Sequence, residues 1–174
     1  MKTGYLEKAR GVELVVLDVD GVMTDGSLYF NESGEELKRF DASDGLGIKL
    51  IQDYGIQVAV ISGRKCKALT KRLEDLRITN AYQGVSDKLF VYNALIKELA
   101  VPISNTCYVG DDLPDLPILK RCGFSAAPYG SPVYITENVD YVTQRIGGHG
   151  AVREICEVIL ESRGLLKTIV NRYF

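Results

Sequence analysis

The chain has 174 residues, 46% of them hydrophobic and 25% charged, which suits one domain, or one with a small insertion, around a core of useful size. Its 21 basic and 23 acidic side chains leave a net charge of −2, with Lys and Arg scattered rather than striped, so neither nucleic acid nor an anionic membrane is an expected partner. No apolar run approaches the roughly 18 residues that a spanning helix needs. Met1 to Arg10 is charged and lacks the apolar stretch of a secretory signal. The four cysteines, Cys66, Cys107, Cys122 and Cys156, are far apart and form no CxxC pair, which fits reduced thiols in a cytoplasmic protein better than disulfides or zinc.

In chain order, the first strand is expected at Glu13–Leu17. Its apolar run Leu14–Leu17 leads straight into Asp18-Val19-Asp20-Gly21. Two carboxylates at the inner end of a strand are costly unless a cation or a reaction uses them. Ser27–Phe30, Asn31–Gly34 and Glu35–Phe40 then predict a β-hairpin on the side where the aspartates emerge, either an edge ribbon or a flap beside a site. A helix is expected over Gly45–Tyr54, a strand over Gln57–Ile61, a helix over Lys65–Leu76, a strand over Ala81–Gln83 and a helix over Asp87–Ala100. A strand at Thr106–Val109, a helix at Asp115–Arg121, a strand at Gly123–Ala126, a weak strand at Tyr141–Val142 and a helix at Ala151–Ser162 complete the series. Cys107 and Cys156 fall in a strand and a helix pattern and read as core. The last segment, Gly164–Phe174, mixes basic, apolar and aromatic residues and reads as a frayed tail or as a segment docked on a neighbouring subunit. Strand–helix alternation predicts an α/β fold: a Rossmann-like, doubly wound, mostly parallel sheet with a hairpin flap. Strands that are apolar throughout predict a sheet covered on both faces.

Four clusters follow strands or open helices, the edge where open α/β sheets bind ligands. They are Asp18-x-Asp20, Ser62-Gly63-Arg64, Lys88, and Gly110-Asp111-Asp112-Leu113-Pro114-Asp115. Singly, each has a plain structural explanation: a turn, a helix cap, a surface lysine, or carboxylates at a helix start. Together and in this order they point to chemistry. Converging carboxylates repel unless a cation intervenes. Oxygen donors without His or Cys suit Mg²⁺, which shares substrate phosphate oxygens and so fits phosphoryl transfer. Asp18 is then the nucleophile and forms an aspartyl-phosphate. Ser62 and nearby backbone N–H groups hold phosphate oxygens, and Lys88 adds positive charge to the nucleophile and the transferring group. Asp20 protonates the leaving alkoxide and later takes a proton from water.

This set resembles the haloacid dehalogenase superfamily of phosphotransferases. The resemblance implies that Mg²⁺ is held by Asp18, by the backbone carbonyl of Asp20 and by Asp111. Asp112 and Asp115 would act through water or by orienting Lys88. Asp18–Gly26, Gly34–Lys38, Asp44–Ile48, Ser62–Lys65, Tyr108–Asp112 and Gly147–Glu154 together resemble the 3-deoxy-D-manno-octulosonate 8-phosphate phosphatase family. That implies a phosphorylated keto-sugar acid as substrate and a homotetramer in which a neighbour's hairpin and tail help close the site. Only a hairpin and a helix fill the interval from Asp18 to Ser62, and a helix and a short strand fill that from Ser62 to Lys88, so one domain without a cap is expected. A site that must exclude water then needs a lid from another subunit. The substrate carries a carboxylate besides its phosphate, and Arg64, whose fork can hold a carboxylate in two hydrogen bonds, is the best candidate for it. Lys49 and Arg72 match further substrate-contacting positions of the family. Asp41, Ala42, Ser43, Asp44 and Gly45 match its substrate-side loop, with Ser43 where the family often carries a basic residue. His149, in a glycine-rich turn, reads as a loop residue at an interface and not as a catalyst.

Two other readings share much of this pattern. A phosphatase for a nine-carbon, sialic-acid-type keto-sugar phosphate would share every chemical residue, but that group tends to carry glutamate where this chain has Arg64. A phospho-acceptor switch or silent assembly domain would need no acid/base two residues past the acceptor, and Asp20 argues against it.

Overall fold

The protein is described by a computed structural model covering residues 4–174; the first part of the charged N-terminal segment, residues 1–3, lies outside the described residues. Six strands form one parallel sheet: β1 (Leu14–Leu17), β4 (Gln57–Ser62), β5 (Asn80–Gln83), β6 (Thr106–Val109), β7 (Phe124–Ala127) and β8 (Tyr141–Val142). Their spatial order is β5-β4-β1-β6-β7-β8. The chain winds outward from β1 to one edge, then crosses back and winds to the other. The two halves therefore part between β1 and β6, where an open α/β sheet leaves a crevice at its carboxyl ends.

Period-two alternation sorts the strand side chains onto two faces. Val15, Leu17, Val58, Val60, Cys107 and Val109 pack on one side against α2 (Ala42–Asp53), α3 (Lys67–Asp75) and α7 (Ala151–Ser162). Leu14, Val16, Ala59, Ile61 and Tyr108 pack on the other against α4 (Lys88–Glu98) and α5 (Leu116–Leu119). Cys107 and Cys156 are core residues, and all four thiols are free. Among the described residues no helix is long and apolar enough to cross a membrane.

The hairpin is a separate two-stranded sheet, β2 (Tyr29–Phe30) with β3 (Glu36–Leu37), Tyr29 opposite Leu37. Asn31 closes its turn by accepting hydrogen bonds at its side-chain oxygen from Ser33 N (3.1 Å) and Glu35 N (2.8 Å). Leu28, Tyr29, Phe30 and Leu37 are exposed.

The structure departs from the expected elements in three places. Helix α2 begins at Ala42 rather than Gly45, because the Asp41 carboxylate accepts from Ser43 N (2.6 Å) and Asp44 N (3.3 Å) and caps the first turn. The Asp41–Gly45 stretch is thus a helix start, not a free loop. Helix α5 covers only Leu116–Leu119 of the expected Asp115–Arg121. Three short helices carry too little periodicity to read from sequence: α1 (Tyr5–Arg10), α6 (Val133–Thr136) and α8 (Leu166–Val170). Helix α8 buries Ile169, and Arg172 lies 5.9 Å over the Tyr54 ring, so part of the tail packs on its own chain while Tyr173 and Phe174 stay exposed.

Candidate active site

Asp18 leaves β1 at its carboxyl end and is buried, its N–H bonded to Val109 O of β6 (3.0 Å). The register places Leu17 beside Val60 on one side and Val109 on the other. The residues at or just past the ends of these strands, Asp18, Ser62 and Asp111, therefore open into the same crevice. The chain then turns at Gly21 with φ +87°, a conformation that strains any other residue. A Cβ there would also collide with the Asp111 carboxylate. The glycine lets the two acidic loops touch.

Lys88 is the second residue of this cluster to be buried. Asp87 caps α4 by accepting from Phe90 N (2.9 Å) and so aims the first turn at the crevice. Lys88 Nζ sits 2.7 Å from Asp18 Oδ1 and 2.8 Å from Asp115 Oδ1. Burial opposes its charge, but Asp18 and Asp115 outweigh that and hold its pKa above the ordinary value. Asp115 has no free lone pair to offer. Its Oδ1 accepts from Lys88 and from Tyr108 OH (2.7 Å), and its Oδ2 from Asp111 N (3.1 Å) and Asp112 N (3.3 Å).

Asp18, Asp111 and Asp115 each place a carboxylate oxygen within 4.8 Å of the others. Their charges are under-compensated. Burial, then Asp115, raises Asp18 to about 6 against the pull of Lys88. Burial, then Asp18 and Asp115, raises Asp111 to about 7. A site of carboxylate oxygens with more negative than positive charge is suited to a hard divalent cation such as Mg²⁺. With Asp115 saturated by four donors, Asp18 and Asp111 are the carboxylates with capacity left for it.

Asp20 turns the other way. Its carboxylate is ion-paired with Lys38, which is 2.8 Å from Glu36 Oε1, and Arg64 Nε lies 3.9 Å from Asp20 Oδ2. Lys38 has 1% of its side chain exposed although it belongs to a surface hairpin, so it is committed to these two carboxylates. Lys38 and Glu36 belong to the matching Gly34–Lys38 stretch, but nothing in the sequence marks a hairpin lysine as buried or gives either residue a role in the site. Ser62 is buried at the end of β4, its Oγ accepting from Arg64 N (3.2 Å).

The remaining expected residues take other partners, and Lys49 lies away from the crevice. Lys49 lines a surface groove with Gln57 and Val58, at the amino end of β4 and so at the opposite edge of the sheet from Ser62. Arg72 donates to Asp41 O (2.7 Å) and stacks 5.8 Å over Phe40, holding the start of α2. Ser43 Oγ bonds the Asp41 carboxylate (2.5 Å). Asp44 is buried and accepts from Arg153 N (2.7 Å), capping α7, whose own N-cap is the side-chain-less Gly150. Burial raises Asp44 to about 6. Asp112 accepts from Tyr134 OH (2.7 Å) at the surface. His149 is 3.2 Å from Arg39 on an exposed turn.

The Gly147–Gly148 turn braces the Asp20–Asp25 loop from behind. A Cβ on Gly147 would lie far inside contact with Gly21 O, and Gly148 N donates to Val22 O (3.0 Å). Gly147→Ala is expected to cost about 3 kcal/mol and to lower activity with stability, because the displaced backbone carries Asp20. Thermal melting and phosphate release measured on one preparation check both.

No family model matches the chain. It is 44% identical over 161 residues to the 3-deoxy-D-manno-octulosonate 8-phosphate phosphatase KdsC of Escherichia coli (strain K12), covering 92% of this chain and 86% of the relative. The enzyme of the same name from Yersinia pestis is 41% identical over 162 residues, covering 93% and 87%. Among solved structures, the Moraxella catarrhalis 3-deoxy-D-manno-octulosonate 8-phosphate phosphatase, in complex with magnesium, phosphate and KDO, superposes with a TM-score of 0.97 at 34% identity over 100% of both chains. The cobalt-bound Haemophilus influenzae phosphatase superposes with a TM-score of 0.89 at 41% identity, covering 92% of this chain and 94% of its own. Sequence identity across nearly the whole length, on a common fold, places the chain in the 3-deoxy-D-manno-octulosonate 8-phosphate phosphatase family of haloacid dehalogenase-type hydrolases.

Proposed function

We propose that the protein is a Mg²⁺-dependent phosphatase that hydrolyses 3-deoxy-D-manno-octulosonate 8-phosphate to the free sugar acid and phosphate. One observation carries the reading: Asp18 and Asp111 converge at the crevice between β1 and β6 while Lys88 bridges Asp18 and Asp115. Names and bound ligands of the relatives supply the substrate.

Asp18, Asp111 and the Asp20 backbone carbonyl would hold Mg²⁺, which neutralises the repulsion between a carboxylate nucleophile and a phosphate dianion. Asp18 attacks phosphorus, the ester P–O bond breaks, and Asp20 delivers a proton to the departing sugar oxygen. Asp20 then removes a proton from a water, which attacks the aspartyl-phosphate; the Asp18–phosphorus bond breaks and inorganic phosphate leaves. Ser62 Oγ and the N–H groups of Gly63 and Arg64 receive phosphate oxygens. Lys88 balances charge on the nucleophile and the moving phosphoryl group. Asp115 and Tyr108 hold Lys88 in place, and Asp112 borders the mouth with Tyr134.

Arg64 receives the substrate carboxylate, and the start of α2 from Asp41 through Ala42, Ser43 and Asp44 to Gly45, tied down by Arg72, forms the substrate side. The hairpin acts as a flap on a single domain without a cap. Exposed Leu28, Tyr29, Phe30 and Leu37, with Tyr173 and Phe174 of the tail, support burial against other subunits of a homotetramer. Four free thiols suit the cytoplasm.

Phosphate release from a panel of sugar phosphates with Mg²⁺ tests the reading, with the eight-carbon keto acid expected as the best substrate. A preference for a nine-carbon keto-sugar phosphate would reassign it, and no release at all would reject a turnover function. Arg64→Ala is expected to cut kcat/KM for the keto acid about 10- to 100-fold, the scale of a hydrogen-bonded charge pair, and to change p-nitrophenyl phosphate hydrolysis by less than about threefold. Equal losses on both substrates would remove the carboxylate role.

A further inference from the structure

Four side chains of alternating charge form a closed ring beside the crevice: Asp20, Lys38, Glu36 and Arg64. They come from three separate segments, the loop after β1, the hairpin, and the loop after β4. Lys38 contacts Asp20 and Glu36, and Arg64 Nε lies 3.5 Å from Glu36 Oε1 and 3.9 Å from Asp20. The nearer carboxylate to the guanidinium is thus Glu36, a carboxylate on this chain at the very group that the proposed function gives to the substrate's carboxylate.

The two partners of Glu36 differ. Lys38 is close and buried, so it keeps Glu36 anchored when Arg64 turns away. Arg64 is 44% exposed, its contact with Glu36 is longer, and it is therefore the member free to change partner. An incoming carboxylate can take Arg64 without leaving either Glu36 or Asp20 unpaired, since Lys38 still serves both.

We propose that Glu36 tunes the Arg64 subsite: it occupies Arg64 in the free enzyme and must be displaced from it by the substrate's own carboxylate. The proposal rests on the reading of Arg64 as the substrate's carboxylate partner. Ligands lacking a carboxylate leave the Glu36–Arg64 pair intact and gain nothing from Arg64. Ligands carrying one must compete with Glu36, so Glu36 weakens the binding of the true substrate by a set amount.

The test uses the Mg²⁺-loaded enzyme and Glu36→Gln, which keeps the side chain's shape and removes its charge. KM for 3-deoxy-D-manno-octulosonate 8-phosphate is expected to fall about threefold to fivefold, the range of a partly exposed ion pair, with kcat held. KM for p-nitrophenyl phosphate is expected to stay within about twofold. Calorimetric binding of the free sugar acid should tighten by the same factor as KM, and in the Arg64→Ala background Glu36→Gln should have no effect on either quantity. An unchanged or raised KM for the keto acid, an equal fall for both substrates, or an effect that survives without Arg64 would each overturn the role of Glu36. The two readings fail separately. Arg64→Ala that weakens both substrates alike removes the carboxylate site itself, whereas a selective Arg64→Ala with a silent Glu36→Gln removes only the proposal made here. An unchanged melting temperature of Glu36→Gln shows that the hairpin has kept its place.

Discussion

Asp18→Asn is expected to lose turnover by roughly 10⁴-fold or more and, without metal, to melt at a higher temperature than the parent. The first effect follows from chemistry. An amide has no anionic oxygen with which to attack phosphorus, and no other carboxylate can replace it: Asp111 sits over Gly21 and Asp115 is taken up by four donors. The second follows from electrostatics. Asp18 is buried near two further carboxylates with one lysine to balance them, and its raised pKa of about 6 records the strain of keeping it charged. Asparagine keeps the shape and drops the charge. A discontinuous phosphate assay and a melting curve in chelator, on one preparation, measure both. Residual turnover within tenfold of the parent would refute the nucleophile, and a lower metal-free melting temperature would show that the acidic cluster is not repulsive.

The same cluster sets an unusual dependence of stability on pH. Asp111 at about 7 and Asp18 at about 6 both lie above the ordinary 3.8. For a carboxyl whose folded pKa is raised, the native state holds the proton more tightly than the unfolded chain does. Stability is then greatest below the unfolded pKa and declines as pH rises through the folded one. The metal-free protein should therefore lose stability between about pH 4 and pH 7.5, the window in which most proteins are flat or gaining. The carboxylates held low, such as Asp41, Asp25 and Glu36, add stability as pH rises through the unfolded carboxylate range, so they oppose the decline at its acid end and leave it intact towards neutrality. Saturating Mg²⁺ should erase most of the decline, since the cation replaces the proton. Asp111→Asn should also flatten it, raising metal-free stability near pH 7.5 by on the order of 2 kcal/mol, about 5 °C in melting temperature for a chain of this size. The variant should no longer be stabilised by Mg²⁺. Asp44, raised to about 6 at the head of α7 and remote from the metal, should leave a small decline that Mg²⁺ does not remove. A melting temperature that rises with pH in chelator would refute this account.

Legibility in the sequence follows how local the cause is. Leu14–Leu17 and Thr106–Val109 could be read as buried strands because both sheet faces are covered and no charged residue interrupts them. Once those strands are parallel neighbours, Asp18 and Asp111 must lie side by side, so their proximity was open to inference. Lys88 could be read from its place one residue past a capping Asp87. What escaped depends on contacts distant along the chain. Asp44 looks like a loop carboxylate until α7 arrives 109 residues later to present Arg153 N. Lys38 looks like an exposed hairpin residue until Asp20 and Glu36 enclose it. Lys49 has a helical position compatible with either edge of the sheet, and only the direction of α2 sends it away from Ser62.

The glycine turn at Gly147–Gly148 makes the crevice depend on a stretch of chain far from it in sequence. The loop that carries Asp20 rests on that backbone, and Asp44 in the first turn of α2 supplies the side-chain cap that Gly150 cannot give to α7. A lesion at this turn would therefore reach the crevice through backbone alone, with each of its side chains unaltered.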